Sequence, residues 1–325
     1  MISVLLLSAV FGAVIGSFLS VCIYRIPFHK SVGLLQDLKE QASAEENALE
    51  EYVPAHALRH AELSINSPQR SECLDCGHQL SWWQNIPILS FILLLGKCHF
   101  CKAKISARYP LVELTSTLMA LLSVVQFGFT IAALVTFIVC ATFLVIALID
   151  YDWYIIPDII SYPSAGIAIL LVAINQFFPY LPAPYAANLT QAALGILCGA
   201  GFLWSVAFLY LKIRKQEGLG FGDVKLLVVI GALFGPGGAF FTIFMGSVLG
   251  TIGGVAMILM RGRSMAHPLP FGPFLLAATV VYIFMPRFVF GESFLGEPFF
   301  SGIFFSDPLF SAVLNTTFSF SMLQL

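Results

Sequence analysis

Two aspartates stand where apolar segments meet polar ones. Asp150 closes the apolar run 144–149, and Asp223 sits in Gly220-Phe221-Gly222-Asp223 at the head of another. A carboxylate beside bilayer hydrocarbon costs about 2.5–3.5 kcal/mol on the insertion scale, so an acid in such a place marks function more often than packing. Two carboxylates that share a proton can activate water for peptide-bond hydrolysis. The chemistry to expect is that of an intramembrane aspartyl protease, with Asp150 and Asp223 as its catalytic pair.

The flanking residues set different expectations for each acid. Asp150 is read as the end of an apolar helix, where the negative end of the helix disfavours a charged carboxylate. In the sequence that follows, Pro157 breaks the segment and Asp158 is placed to cap the next helix, while Asp152 reads as a solvated loop charge. Ahead of Asp223, Gly218, Gly220 and Gly222 make a backbone without side chains that a peptide can approach closely. No Rossmann strand precedes these glycines, so they are not a nucleotide fingerprint. About twelve apolar residues separate Asp223 from Gly235, roughly 18 Å of helix against a hydrocarbon core of about 30 Å, which places the carboxylate below the membrane surface. Lys225 is expected to snorkel to the headgroups.

A second constellation lies in a polar segment. Cys73-Leu74-Asp75-Cys76 and Cys98-His99-Phe100-Cys101 are two Cys-x-x-Cys knuckles with 21 residues between them. Four thiolates in this arrangement form a closed structural zinc site, with Cys73, Cys76, Cys98 and Cys101 as ligands. A redox pair and unliganded thiols are the alternatives. His78 and His99 lie near enough to compete as ligands, but four cysteines already fill a tetrahedral shell. Cys22, Cys140 and Cys198 fall in apolar runs and read as small packing residues.

The elements that must hold these groups follow from composition. Of 325 residues, 58% are hydrophobic and 10% charged, and the mean hydropathy is +0.90. That excludes a soluble domain and predicts an all-α polytopic membrane protein. Eight transmembrane helices are expected, near 2–24, 110–128, 130–149, 159–178, 189–211, 223–235, 238–260 and 271–286. The first reads as a retained span, because no basic residue precedes it and no cleavage site follows. With the N-terminus outside, only Arg287 of the sixteen Lys and Arg lies on the outer side. Both aspartates then face the cytoplasm, as does residue range 25–109. In that range, 30–70 is acidic and helix-prone, and the apolar stretch 86–95 is too short to span, so it packs in the domain or lies at the membrane interface. The domain reading is 1–24 for the first helix, 25–109 for a small cytoplasmic zinc-binding domain inserted between helices 1 and 2, 110–286 for a transmembrane peptidase domain, and 287–325 for an outer, periplasmic extension. No basic tract suggests nucleic acid as a partner; lipid is one.

In this order the motifs resemble the bacterial type IV prepilin peptidases, the leader peptidase/N-methyltransferases of pilus and type II secretion systems. The matching residues are Gly16-Ser17-Phe18-Leu19 before Arg25-Ile26-Pro27, the cysteine quartet, and Trp82-x-x-Asn85-Ile86-Pro87. They continue with Ser106-x-Arg108-Tyr109-Pro110-x-Val112-Glu113, Ile149-Asp150 leading to Pro157-Asp158, Gly220-x-Gly222-Asp223, and Pro270-Phe271-Gly272-Pro273. The resemblance implies an enzyme of the bacterial inner membrane. Its Asp150 and Asp223 would cleave prepilin or pseudopilin leaders after a glycine, on the cytoplasmic side and ahead of an apolar N-terminal helix. It would then methylate the new N-terminal residue, commonly phenylalanine, from S-adenosylmethionine. Asn85, Gly96 and Glu113 are the cofactor-binding candidates by motif position alone; each also has a structural role open to it, as a cap, a turn and an ion pair with Arg108. The alternatives are a peptidase without methyl transfer, a transporter carrying a zinc regulatory domain, and a non-enzymatic assembly factor.

Overall fold

The computed structural model describes residues 2–41, 71–73, 75–215, 220–261 and 270–289, with side chains from 28–41, 260–261 and 286–289 excepted. The acidic stretch 42–70 and residues 1, 74, 216–219 (Gly218 among them), 262–269 and 290–325 lie outside the described residues. Within them the fold is helical, and only two isolated bridges, Glu72 with Gln79 and Lys97 with Lys104, pair extended backbone.

The helices are α1 (Ile2–Gln41), the short α2 (Leu89–Leu93), α3 (Arg108–Phe127), α4 (Ile131–Trp153), α5 (Asp158–Phe177), α6 (Leu189–Ile196), α7 (Phe202–Arg214), α8 (Phe221–Arg261) and α9 (Gly272–Val289). Among the described residues, six helical segments are long and apolar enough to cross a bilayer. One of them, Leu189–Arg214, is α6 and α7 joined through a π-helical turn. The expected spans 223–235 and 238–260 are the two arms of α8, which breaks at Gly235 (φ 66°, ψ −169°) before Pro236. Glycine alone adopts that backbone cheaply, and proline cannot supply the next helical N–H. The eighth expected span is α9, shorter than the others at Gly272–Met285.

The end of the first helix differs from expectation. The first helix does not stop at Tyr24 but continues through Pro27 to Gln41, so the polar segment begins as an extension of the span. Hydropathy marks where a helix leaves hydrocarbon, which is not where its hydrogen bonds end.

Solvent is apolar on both sides of the helix wall. Leu226, Leu227, Ile230, Leu275 and Ile283 are fully buried along α8 and α9, while Leu6 and Phe244 are 63% and 62% exposed on outer faces. Between helices of equal greasiness, close backbone approach replaces the hydrophobic effect as the packing force. Gly12 and Gly16 of α1 provide it: a Cβ on Gly16 would lie 2.7 Å from the Cα of Glu113, and one on Gly12 2.8 Å from the Cβ of Ala120. The Ser116 hydroxyl donates across the same seam to the Gly12 carbonyl at 2.8 Å. Gly195 of α6 meets Gly231 of α8 backbone to backbone. These seams hold α3 against α1 and α8 against α6.

Candidate active site

Asp150 lies in the last turn of α4 and Asp223 is the third residue of α8, at 6% and 7% exposure. The two carboxylates approach closely enough for their negative charges to repel each other. Their helix ends differ in kind. Asp223 sits at the positive end of α8, with its N–H on the Gly220 carbonyl at 3.2 Å. Asp150 does not terminate its helix, as expected from sequence, because α4 runs three residues further to Trp153. Tyr154 closes it in the left-handed conformation (φ 55°), its N–H on the Asp150 carbonyl at 2.9 Å.

Two neighbours of the acids were not singled out for any role by the sequence reading. Gly272, at the start of α9, donates its N–H to the Asp150 carboxylate, and a Cβ there would lie 2.5 Å from Asp150 Oδ2. Ile156, in the α4–α5 connection, packs on both active-site glycines: added Cβ atoms would stand 3.1 Å from it at Gly222 and 3.4 Å at Gly272. The available signal for Gly272 was its place before Pro273 at a helix start, which marks the turn but not what the turn faces.

Ion pairs fasten both acid-bearing turns. Arg108, at the start of α3, pairs with Asp152 at 2.5 Å and donates to the Leu148 carbonyl at 3.3 Å. Asp152 is therefore not a free loop charge, and Arg108 does not serve Glu113. Lys225 pairs with Asp158 at 2.6 Å and lies over the rings of Tyr162 and Phe221. Its ammonium is thus held by partners within the protein. Asp158 is not the cap of α5 either: Pro157 holds that position without a side-chain bond. A nearby opposite charge outcompetes both capping and snorkelling at this depth.

The four expected cysteines converge. The sulfurs of Cys73, Cys76, Cys98 and Cys101 all lie within 4.8 Å of one another, with Cys73 and Cys101 at 3.8 Å. A tetrahedron with metal–sulfur bonds of about 2.3 Å needs sulfurs about 3.8 Å apart, so the quartet fits a metal ion. The two knuckles are built alike. Each turns on a left-handed residue after its second cysteine, Gly77 (φ 70°) and Lys102 (φ 62°), whose own N–H groups donate back to the Cys73 and Cys98 carbonyls at 2.8 and 3.1 Å. Backbone N–H groups of Cys101 and Phe100 hold the Cys98 thiol below its usual range. The nearby histidines stay out of the cluster: His78 stacks on Phe100 and His99 meets the edge of Trp83.

Between this cysteine domain and helices α1 and α3 lies a cavity of about 1010 Å³. Asn85 and Glu113 line it, as do Ser17, Phe18 and Arg25 of α1. Asn85 ends a 3-10 turn and caps no helix; the position before α2 is Ile88. Gly96 is not on the wall. Its left-handed turn (φ 67°) faces the ring of Phe91, which is. Glu113 is buried, and it accepts the Ile88 N–H at 2.7 Å and a hydrogen bond from Ser17.

Comparison with known proteins gives matches along most of the chain. Residues 10–127 match the family described as bacterial peptidase A24 N-terminal domain, and residues 137–255 match the type IV leader peptidase family. The prepilin leader peptidase/N-methyltransferase of Pseudomonas putida is 34% identical over 272 residues, 84% of this chain and 87% of that one. Its counterpart in Burkholderia pseudomallei strain 1026b is 34% identical over 276 residues, 85% of this chain and 83% of that one. In Pseudomonas aeruginosa the protein of that name is 35% identical over 267 residues, covering 82% and 85%. No solved structure matches.

Proposed function

The chain belongs to the type IV leader peptidase family, and from that premise we propose that Asp150 and Asp223 are its catalytic dyad. The protein is a multi-pass inner-membrane enzyme, a prepilin leader peptidase and N-methyltransferase. The observation that carries the dyad is the meeting of two buried carboxylates, from α4 and α8, with the α9 backbone donating to one of them. One carboxylate takes a proton from the attacking water while the other hydrogen-bonds the scissile carbonyl, then protonates the leaving amine. The pair titrates as a unit. Gly220 leaves room for an extended peptide beside Asp223, and cleavage falls after a glycine, ahead of an apolar helix that stays in lipid. The positive-inside bias puts this site at the cytoplasmic face, with the N-terminus periplasmic.

The four cysteines hold one structural zinc ion, which closes a domain too small to bury a core of its own. The cavity beneath that domain is large enough for S-adenosylmethionine, at the upper limit of the volumes of small-molecule sites. When bound there, the cofactor supplies an electrophilic methyl group; Asn85 and the wall by Phe91 hold it, with Gly96 shaping the wall from behind. The acceptor is the amine of the new N-terminal residue, commonly phenylalanine.

The decisive experiment is cleavage of a purified prepilin by the protein in detergent. Asp150→Asn and Asp223→Asn are expected to abolish leader removal, and Asp152→Asn to leave it measurable. Cleavage surviving in either of the first two overturns the assignment. Mass spectrometry of the product for one added methyl group, with and without Asn85→Ala, reads the second activity.

A further inference from the structure

We propose that the carboxylate of Glu113 is the binding site for the α-ammonium group of the freshly exposed apolar-helix N-terminus. Motif position grouped Glu113 with the cofactor candidates; its surroundings assign it to the acceptor instead. The assignment rests on the methyl-transfer reading of the cavity.

Glu113 lies five residues inside α3 from Arg108, about 7.5 Å along the helix axis, within a membrane span. It is 8% exposed yet forms part of the cavity wall. Both of its hydrogen-bond donors, the Ile88 N–H and Ser17, are neutral, and among the described residues it makes no ion pair. A carboxylate offers about four acceptor sites, so these two donors leave capacity for a further one. A buried anion without a cation is costly, and a ligand cation answers that cost.

The local backbone is committed to this carboxylate. Ile88 is β-branched and stands at φ 61°, ψ −49°, outside the ordinary regions, with its N–H aimed at Glu113 Oε2. Strain of that kind survives where surrounding structure enforces it, commonly at ligand sites. Val14, Phe18 and Val21 of α1, with Phe91 and Leu94, make the neighbouring wall apolar. That combination matches one ligand chemistry: a primary ammonium on the first turn of an apolar helix, which also brings its positive helix end to the anion. Among the described residues, the other charged or titratable groups of the cavity outside the cysteine cluster are Tyr24 and Arg25 of α1, Tyr109 of α3, and Glu72, Asp75, His99 and Lys104 of the domain.

The test is binding in the absence of any methyl donor. The probe is a 20-residue apolar peptide starting with phenylalanine, free or N-acetylated, added to the full chain in lipid nanodiscs. Wild type is expected to prefer the free amine by about tenfold at pH 7, and to lose the preference as pH rises past the amine's own pKa of about 8. Glu113→Gln is expected to bind both peptides alike, and Glu113→Asp to keep part of the preference; zinc content verifies that each variant is folded. Equal binding of the two peptides by folded wild type, or undiminished preference in Glu113→Gln, overturns the proposal. Calorimetric binding of S-adenosylmethionine to wild type separates the two readings, because its failure removes the cavity assignment while the peptide result stands by itself.

Discussion

Gly272 and Asp150 are in direct contact: the glycine N–H donates to the carboxylate, and a methyl group on the glycine would stand 2.5 Å from Oδ2. The backbone at the start of α9 is thus one wall of the proposed catalytic site. Gly272→Ala is expected to displace the Asp150 carboxylate and lower leader cleavage by about 10²-fold, the scale of a misplacement near 1 Å. Gly166→Ala, where an added Cβ meets nothing within 4 Å, is the control and should cleave normally. Full activity in Gly272→Ala would show that the carboxylate works from another position.

Lys225 and Asp158 tie the first turn of α8 to the first turn of α5, two residues beyond Asp223. Their side chains are 19% and 45% exposed, so screening limits the pair to about 1 kcal/mol of stability. Its effect on geometry is larger. Lys225→Met is expected to slow turnover about tenfold with little change in KM or melting temperature, and Lys225→Arg to retain most of the rate. A turnover unchanged in Lys225→Met removes the pair from the account of the site.

Much of this arrangement was legible in the chain because each signal was strong and local. Spans announce themselves by apolar length, and even the break in α8 is written as Gly235-Pro236. The cysteine quartet is legible because a metal demands one residue type at fixed spacing. What escaped were the contacts around those groups that packing sets. Arg108 finds Asp152 rather than Glu113 because α3 and α4 lie side by side with both groups at one membrane face. Asp158 was assigned a cap and Lys225 a headgroup, since pattern rules see one element at a time, yet the two meet across elements. The end of α1 was missed because hydropathy reports the solvent and the helix outlasts the change of solvent. Gly272 carries no chemistry of its own, and only its closeness to Asp150 gives it a role.

The α1–α3 seam supports the cavity and offers a separate check. A side chain at Gly16 would collide with the Glu113 backbone at 2.7 Å and with Ser116 Cβ at 2.9 Å. Gly16→Leu is expected to separate the two helices and lower both the melting temperature and methyl transfer, with overpacking worth about 1–3 kcal/mol. Gly16→Ala should show a smaller effect of the same sign. Methylation that persists at wild-type rate in Gly16→Leu would mean the seam does not shape the cavity.

Zinc retention should depend on pH in a direction fixed by the thiols. A metal ion binds thiolates, so binding releases the protons held by the free cysteines, and affinity falls as pH falls. Cys98 is held below the ordinary thiol range by backbone N–H groups, and it therefore surrenders its proton most readily. Burial pushes the Cys73 thiol up to about 12, and Cys101 also stands above its usual range, so both hold their protons at pH 7 until the metal displaces them. Titration with a chromophoric chelator between pH 6 and 8 is expected to show the affinity rising steeply with pH. Cys76→Ser removes one ligand and should lower the affinity at every pH. Affinity that does not change with pH would exclude a four-thiolate site.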